Sequence, residues 1–195
     1  MSSQPQPRLS PEKYLEIERK AQVKSEYYAG EMFAMAGATY RHNLITFNIG
    51  GELRTRLRGR NCRVTGTDMR VCTGPEGLYS YPDIIVICDE PRFLDNQFDT
   101  LLNPVMIVEI LSPSTKDYDR GSKFELYRMI ESLRDYLLVA QDRPHVEHYA
   151  RQPDSRWLLA DANGLPAAVA VSSLGIELPL AEIYSLVNFT QANPE

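Results

Sequence analysis

Two carboxylates stand in strongly apolar segments of the chain, Asp83 in YPDIIVIC and Glu109 in PVMIVEIL. Burying a lone carboxylate in such a strand costs several kcal/mol unless a cation or hydrogen-bond donors satisfy it. If the two strands are neighbours, the carboxylates can converge, and a proton or a divalent cation must then relieve their repulsion. Asp and Glu oxygens are ligands that Mg²⁺ takes in proteins. The spacing alone leaves open that Asp83 ends a strand while Glu109 is exposed at an edge or held in a salt bridge.

The segment that follows Glu109 supplies a cation. DRGSKFELYRMIESL predicts a helix over about 119–132, and at helical spacing Lys123 and Tyr127 fall on its apolar side. A lysine there needs a partner, and Glu109 is the obvious candidate. An i,i+4 pair with Asp119, stabilising by ~0.3–0.5 kcal/mol, is the alternative, and both contacts can hold at once.

A run of arginines lies in RTRLRGRNCR. The candidates for phosphate contacts are Arg54, Arg58, Arg60 and Arg63. Arg54 and Arg58 share one face of a predicted helix, so this is the best phosphate-binding patch in the sequence. The alternative is a solvated helix end whose cations are favoured by the helix dipole.

The elements that must position these residues can be read from periodicity and turn signals. Helices are predicted over about 11–19, with Ser10 as N-cap, and over about 39–58. SEYYAGEMFAMAG predicts a hairpin in which Gly30 supplies the turn. Strands follow in NCRVTG, MRVCTG, YPDIIVIC, PVMIVEIL, RDYLLVA and HVEHYAR, and NQFDTLLN is predicted to be a loop. The remainder, from RWLLADANGLP onward, predicts a short strand, a turn and a closing helical turn.

The fold class is therefore α/β (α+β), with a central mixed β-sheet flanked by helices and PVMIVEIL at its centre. The 195 residues suit a flexible tail over 1–9 followed by a single domain over 10–195. A net charge of −5 argues mildly against a nucleic-acid partner but leaves room for a local basic patch.

The three cysteines contain no C-x-x-C pair, which predicts neither a disulfide framework nor a zinc site and fits a reducing cytoplasm. No apolar run approaches ~18 residues, so we expect no membrane association.

These segments together resemble the Uma family, whose members are described as putative restriction endonucleases. YPDIIVI, then VEILSPST, then Asp119-x-x-x-Lys123 with Tyr127 four residues on, is similar to that family's order of motifs. The opening hairpin is similar too, with Glu26, Gly30 and a later His42 at matching places. The likeness covers about residues 10–190.

The resemblance implies a PD-(D/E)XK nuclease-like, restriction-endonuclease-like core. Asp83 and Glu109 would then be metal ligands, joined by the backbone carbonyl of Ile110. The usual motif places lysine at position 111, where this sequence has Leu111. The family implies that Lys123 of the following helix replaces it. This agrees with the helical-face argument above.

The resulting expectation is an endonuclease that uses Mg²⁺, or Mn²⁺, to hydrolyse phosphodiester bonds of DNA. Asp83, Glu109 and Lys123 are the predicted catalytic residues. The accessory candidates are Glu26, His42, Asp119 and Tyr127. We further expect a homodimer in the cytoplasm. The alternative is a catalytically inactive nuclease-fold module that binds DNA or a protein partner, which Leu111 and the acidic net charge favour.

Overall fold

The structure is a computed structural model of the 195-residue chain and describes residues 8–113 and 115–190. The helices are α1 Pro11–Glu18, α2 Tyr40–Arg56, α3 Lys116–Tyr118, α4 Phe124–Tyr127 and α5 Leu180–Ile183. The strands are β1 Ser25–Tyr28, β2 Glu31–Ala34, β3 Cys62–Gly66, β4 Arg70–Cys72, β5 Tyr79–Ser80, β6 Ile84–Cys88, β7 Thr100–Leu101, β8 Met106–Leu111, β9 Asp135–Ala140, β10 His145–Arg151, β11 Trp157–Asn163, β12 Ala168–Val171 and β13 Ile176–Pro179. Within the described ranges, no helix is both long and apolar enough to cross a membrane.

A six-stranded mixed sheet forms the centre of the fold, in the order β11-β10-β9-β8-β6-β3. Strands β8 and β9 are parallel, and the other pairs are antiparallel. All six residues of β8 are buried, which is typical of a strand covered on both faces. The predicted mixed sheet, with PVMIVEIL at its centre, is therefore confirmed.

Side chains along the central strands point alternately to the two faces of the sheet, and each face packs into its own hydrophobic layer. Val108 and Ile110 of β8 pack with the inner residues of α2. Ile107 and Leu111 point to the opposite face, where they pack with α4. Glu109 has the same parity as the second pair, so it belongs to the α4 face.

A second, five-stranded sheet has the order β2-β1-β5-β4-β7. Its β1–β2 hairpin turns at Ala29 and Gly30, which have φ of 51° and 92°. Two consecutive positive φ values are those of a type I′ turn, the turn that fits the twist of a hairpin. The hairpin prediction is thus confirmed, whereas the predicted loop NQFDTLLN contains the short strand β7.

Helices α1 and α2 match their predictions closely. The hydroxyl of Ser10 accepts from the Lys13 N–H, and that of Thr39 accepts from the His42 N–H, so both helices begin at side-chain caps. The start of α2 places His42 in its first turn.

The predicted helix over 119–132 is wrong in its length and regularity. The chain forms α3, a π-helical turn over Asp119–Lys123, and α4, which ends at Tyr127. Gly121 has the non-helical angles φ −99° and ψ −106°, which break the helix. The break is a local backbone event that hydrophobic periodicity does not register.

The C-terminal segment is also richer in strands than predicted. It contains β11 on the edge of the central sheet, and then the hairpin of β12 and β13, followed by α5. The hairpin packs its inner residues, Val169, Val171 and Leu178, into the layer of α2.

The expectation that the chain has no disulfide is wrong. Cys62 and Cys88 lie directly opposite each other in the β3–β6 ladder and are joined by a disulfide. Sequence spacing could not show this, because the two cysteines are 26 positions apart and the chain between them folds into other elements before it returns to pair β6 with β3. Cys72 is a buried free thiol.

Residues 1–7 of the predicted tail lie outside the described residues. Leu9, at the end of that segment, donates its N–H to the Gly30 carbonyl and accepts from the Tyr27 hydroxyl. The chain just before α1 is therefore held against the hairpin.

Candidate metal-binding active site

Asp83 and Glu109 face each other across neighbouring strands. The β6–β8 register pairs Ile84 with Val108, so one further step places Asp83 opposite Glu109. Opposite residues of an antiparallel pair point to the same face, with Cβ atoms about 4.5–5.5 Å apart. The structure therefore brings together the two carboxylates that the sequence singled out.

The backbone of Ile110 lies beside this pair. Its N–H donates to Asp83 Oδ2 over 2.8 Å. In a strand the carbonyl of the same residue points to the same side, where the register places Pro82. Proline has no N–H to donate, so the Ile110 carbonyl lacks its usual ladder donor at this point.

Lys123 reaches the carboxylates from the end of the π-helical turn. Its Nζ lies 2.9 Å from Glu109 Oε1, 2.9 Å from Glu26 Oε1 and 3.5 Å from Asp119 Oδ1. Both partners that the sequence offered for this lysine are thus present, and a third comes from β1. The name site cluster is used below for Glu26, Asp83, Glu109, Asp119 and Lys123.

Two tyrosines orient the acids of the site cluster. The Tyr127 hydroxyl donates to Glu109 Oε1 over 2.9 Å and also bonds to the Ser80 hydroxyl over 2.8 Å. The Tyr118 hydroxyl donates to Glu26 Oε2 over 3.2 Å. Tyr127 is therefore more than a core residue, because it fixes one oxygen of Glu109.

Acid exceeds base in the site cluster, which holds four carboxylates and one ammonium. Burial is the main cause that raises the pKa of Glu109 to about 8, against the opposing charge of Lys123. Burial likewise raises the pKa of Asp119. Burial alone would lower the pKa of Lys123, but its acidic neighbours outweigh this and raise it well above its usual value. The lysine is therefore charged, and the surplus of acid calls for a proton or a further cation.

Some oxygen atoms of the site cluster remain available to a cation. Asp83 Oδ1 and Glu109 Oε2 accept no hydrogen bond from the described residues, and both belong to carboxylates whose other oxygen is fixed. With the Ile110 carbonyl they make three hard oxygen donors, the type that Mg²⁺ and Mn²⁺ prefer. Across residues 8–113 and 115–190, no three His, Cys, Asp or Glu side chains are grouped to hold a metal. A bound ion would therefore keep several waters.

His42 closes the site from the first turn of α2. Its Nε2 lies 3.2 Å from Asp83 Oδ2, while its buried Nδ1 has no hydrogen-bond partner. His42 and the Ile110 N–H therefore contact the same oxygen of the Asp83 carboxylate. All four accessory candidates, including His42, thus lie in or against the site cluster.

Three contributing residues were missed by sequence reasoning, namely Gly66, Ser80 and Tyr118. A Cβ at Gly66 would lie 2.2 Å from the Asp83 carbonyl oxygen, so β3 can approach Asp83 only with glycine there. A glycine that ends a predicted strand is a signal of such close approach. Ser80 and Tyr118 carry no comparable signal, since short polar contacts leave no pattern in a sequence.

The arginine patch lies away from the site cluster. Twelve residues of α2 separate His42 from Arg54, a distance of about 18 Å along a helix axis. Arg60 donates to the Leu174 and Gly175 carbonyls, and Arg63 donates to the Asp89 carbonyl. Arg54 and Arg58 are exposed. The structure therefore does not bring the four arginines to the carboxylates.

Comparison with known proteins places this arrangement in a family. Residues 11–181 match the model of the Uma2 family, described as "Putative restriction endonuclease". Two proteins of Synechocystis sp. (strain ATCC 27184 / PCC 6803 / Kazusa) are related over most of their length. "Uncharacterized protein sll1609" is 38% identical over 168 residues, which are 86% of this chain and 95% of the relative. "Uncharacterized protein slr1290" is 34% identical over 182 residues, which are 93% of this chain and 94% of the relative.

The fold also matches a solved structure. The crystal structure of a "putative nuclease belonging to DUF820" from Anabaena variabilis ATCC 29413 superposes with a TM-score of 0.73 at 17% identity. The match covers 92% of this chain and 99% of that one. At this identity the likeness establishes the fold, and the chemistry must be argued from the site.

Proposed function

The chain belongs to the Uma2 family of putative restriction endonucleases, and from that premise we propose that it hydrolyses phosphodiester bonds of DNA with a divalent cation. The observation that carries the proposal is the position of Asp83 opposite Glu109, with Lys123 2.9 Å from the glutamate. The site cluster holds more carboxylates than cations in a buried position. This arrangement costs folding free energy, which indicates that the carboxylates serve a function.

Asp83 Oδ1, Glu109 Oε2 and the Ile110 carbonyl would hold Mg²⁺ or Mn²⁺. A bound divalent cation supplies Lewis-acid charge to a phosphoryl oxygen and lowers the pKa of a bound water. Tyr127 and Lys123 keep Glu109 Oε1 engaged, so that its second oxygen is presented in one orientation. The Ile110 N–H and His42 do the same for Asp83.

Lys123 would replace the lysine that the usual motif has at position 111, where this chain has Leu111. Its ammonium is charged and buried beside Glu109, where it would stabilise the negative charge that develops on the phosphoryl group or orient the attacking water. Three carboxylates fix its position, so little reorganisation is needed during the reaction.

Arg58, which is exposed just beyond the end of α2, would contact phosphates away from the scissile bond. About 18 Å along α2 corresponds to about five base pairs, at 3.4 Å per phosphate along a strand. Arg58→Gln is expected to weaken DNA binding at all sequences and to reduce the salt slope of log K by about one.

The test is cleavage of supercoiled plasmid by purified protein with Mg²⁺, with Mn²⁺ or with EDTA. The proposal predicts nicking or linearisation that requires the metal and that is lost in Glu109→Gln. Glu125→Gln is the matched control, because Glu125 is exposed on α4. Cleavage that persists in Glu109→Gln, or that is absent from every metal condition, contradicts the proposal.

A second candidate is a nuclease-fold module that binds DNA without cutting it. It is favoured by Leu111 and by the direct ion pair of Lys123 with Glu109, which already neutralises one carboxylate. Salt-sensitive DNA binding in EDTA, with no turnover and no effect of Asp83→Ala, would select this candidate over the enzyme.

A further inference from the structure

The outward face of α2 carries large apolar side chains that the fold does not use. Tyr40 is 80% exposed and Phe47 is 79% exposed, although the opposite side of the helix is fully buried at Ile45 and Ile49. Tyr40, Phe47 and Arg54 are seven residues apart, which is two helical turns, so they form one line along the outside of α2. Contiguous exposed apolar residues of this kind mark an interaction surface.

Gly50 and Gly51 lie on the same side of α2, and no contact among the described residues requires glycine at either position. A Cβ at either position would meet no atom within 4 Å. Glycine is the least favourable residue for a helix interior after proline, and neither position requires a positive φ. Two adjacent glycines that destabilise α2 without an internal reason point to the close approach of another body.

Leu186 enlarges this surface. It is 91% exposed and has a φ of 60°, a conformation rare for leucine. The preceding Ser185 carbonyl accepts from the Asn48 side chain, which places Leu186 beside the middle of α2. The name α2 patch is used below for Tyr40, Leu44, Phe47, Gly51, Arg54 and Leu186.

The α2 patch is self-complementary. If a second α2 runs antiparallel about a two-fold axis at Phe47, position 40 faces 54, position 43 faces 51 and position 44 faces 50. Tyr40 would then lie under Arg54 of the second copy, a cation–π pair at each end. The Phe47 rings would meet at the axis, next to the space that the missing Cβ atoms of Gly50 and Gly51 leave. We propose that α2 pairs antiparallel with α2 of a second copy of this chain, with Phe47 on the two-fold axis.

A second copy fits this surface better than nucleic acid does. Mid-helix N–H groups are all engaged, so they cannot bind phosphate as a helix start can. Arg54 is the single basic residue of the α2 patch, and the chain has a net charge of −5. A two-fold contact needs the same patch on both copies, and this pattern supplies it.

The decisive test is site-directed cross-linking with a short bis-maleimide. Cys62 and Cys88 are joined and Cys72 is buried, so introduced thiols are the accessible ones. Phe47→Cys should cross-link to itself. Tyr40→Cys and Arg54→Cys should each give little homodimer but should cross-link when mixed. Met129→Cys, at a position 68% exposed outside the α2 patch, is the control and should stay uncross-linked.

Gly51→Leu separates association from folding. The new side chain meets open space in the single chain and improves helix propensity, so the melting temperature of dilute protein should stay equal or rise. The same side chain obstructs the second helix, so sedimentation velocity should show at least a tenfold weaker dimer. A one-helix contact is small, so we expect the wild-type dimer to form at micromolar or higher concentration.

A protein that stays monomeric up to millimolar concentration, with no Phe47→Cys product, overturns the proposal. A monomer that binds single-stranded DNA and loses that binding in Phe47→Ala also overturns it, because the α2 patch would then stack bases. Both measurements are independent of plasmid cleavage.

Discussion

Two clusters in this molecule combine carboxylates with cations, but their balances of charge differ. The site cluster sets four carboxylates against one lysine. The second, called here the balanced cluster, is formed by Arg19, Arg70, Asp95 and Asp99. In it Arg19 donates twice to Asp99 and once to Asp95, and Arg70 lies 2.9 Å from Asp99.

The pKa values follow this difference in charge. Hydrogen bonds from Arg19 hold the pKa of Asp99 well below its usual value, whereas burial raises that of Glu109 to about 8. A carboxylate that is paired with guanidinium groups stabilises the fold. A carboxylate in a cluster with too few cations can bind a further cation. A buried charged residue therefore indicates a functional site only when the acidic and basic groups around it are unequal in number.

The largest expected effect is on catalysis. Glu109→Gln keeps the shape of the side chain but removes one carboxylate ligand, so the excess of acid over base in the site cluster decreases. We expect cleavage to fall by about 10²–10³-fold or more, because a transition-state interaction is lost. The melting temperature of the metal-free protein should stay nearly equal at pH 7, where Glu109 already holds a proton, and should rise above pH 8, where the substitution removes a buried charge. Single-turnover cleavage and calorimetric melting measure both; a lowered melting temperature together with intact cleavage would reverse the assignment of the two clusters.

The mirror experiment is Asp99→Asn in the balanced cluster. It leaves the buried Arg70 without its carboxylate, and Asp99 is about one-third exposed, so water softens the loss. We expect a decrease of about 3 kcal/mol in the free energy of unfolding, at the lower end for a broken buried pair. Urea denaturation measures it. Cleavage per folded molecule should be unchanged, and a specific loss of cleavage would mean that this cluster is also functional.

The two clusters should give opposite pH dependences. The folded pKa of Glu109 is raised from 4.5 to about 8, so the folded chain binds the extra proton between these values. The free energy of unfolding should therefore fall as pH rises from 5 to 8, by at most about 1.4 kcal/mol per pH unit. Asp99 has a lowered pKa, so its contribution is present above pH 4 and is lost as pH falls below it.

Denaturation curves of the metal-free protein from pH 3 to pH 9 measure the free energy of unfolding in both ranges, the upper range of pH 5–8 for Glu109 and the lower range below pH 4 for Asp99. Glu109→Gln should remove the pH dependence in the upper range and leave that in the lower range. Asp99→Asn should do the reverse. If both variants remove the pH dependence in the same range, the contrast between the clusters does not hold.

The smallest effect concerns a single hydrogen bond in the site cluster. Tyr127→Phe removes the donor to Glu109 Oε1 and leaves Lys123 in place. We expect a loss of about 1–2 kcal/mol in stability and roughly tenfold in cleavage. Ser80→Ala, which removes only the outer bond to Tyr127, is the matched comparison and should cost less.

The central parts of the fold could be predicted from sequence because their signals are local. The caps of α1 and α2, the Gly30 hairpin and the apolar β8 each rest on neighbouring residues. The break at Gly121 and the strands β12 and β13 were missed, since tertiary packing selects them over weak local patterns. The disulfide needed the β3–β6 register, which no spacing rule provides.

The site shows the same division. Asp83, Glu109 and Lys123 stood out as charges in apolar surroundings, so their convergence could be expected. Glu26 lies in the four-residue strand β1, whose sequence does not show which residues will lie beside it, and only the fold brings it 2.9 Å from Lys123. The division into a tail and a single domain over 10–195 stays a prediction.

The central claim is that the carboxylates of the site cluster bind a divalent cation. Calorimetric titration of Mn²⁺ into the protein tests it most directly. Mn²⁺ should bind the wild type and Asp99→Asn at one site per chain with equal affinity, and Asp83→Asn at least tenfold more weakly. Equal binding by Asp83→Asn and the wild type would contradict the account, because the metal would then not lie between Asp83 and Glu109.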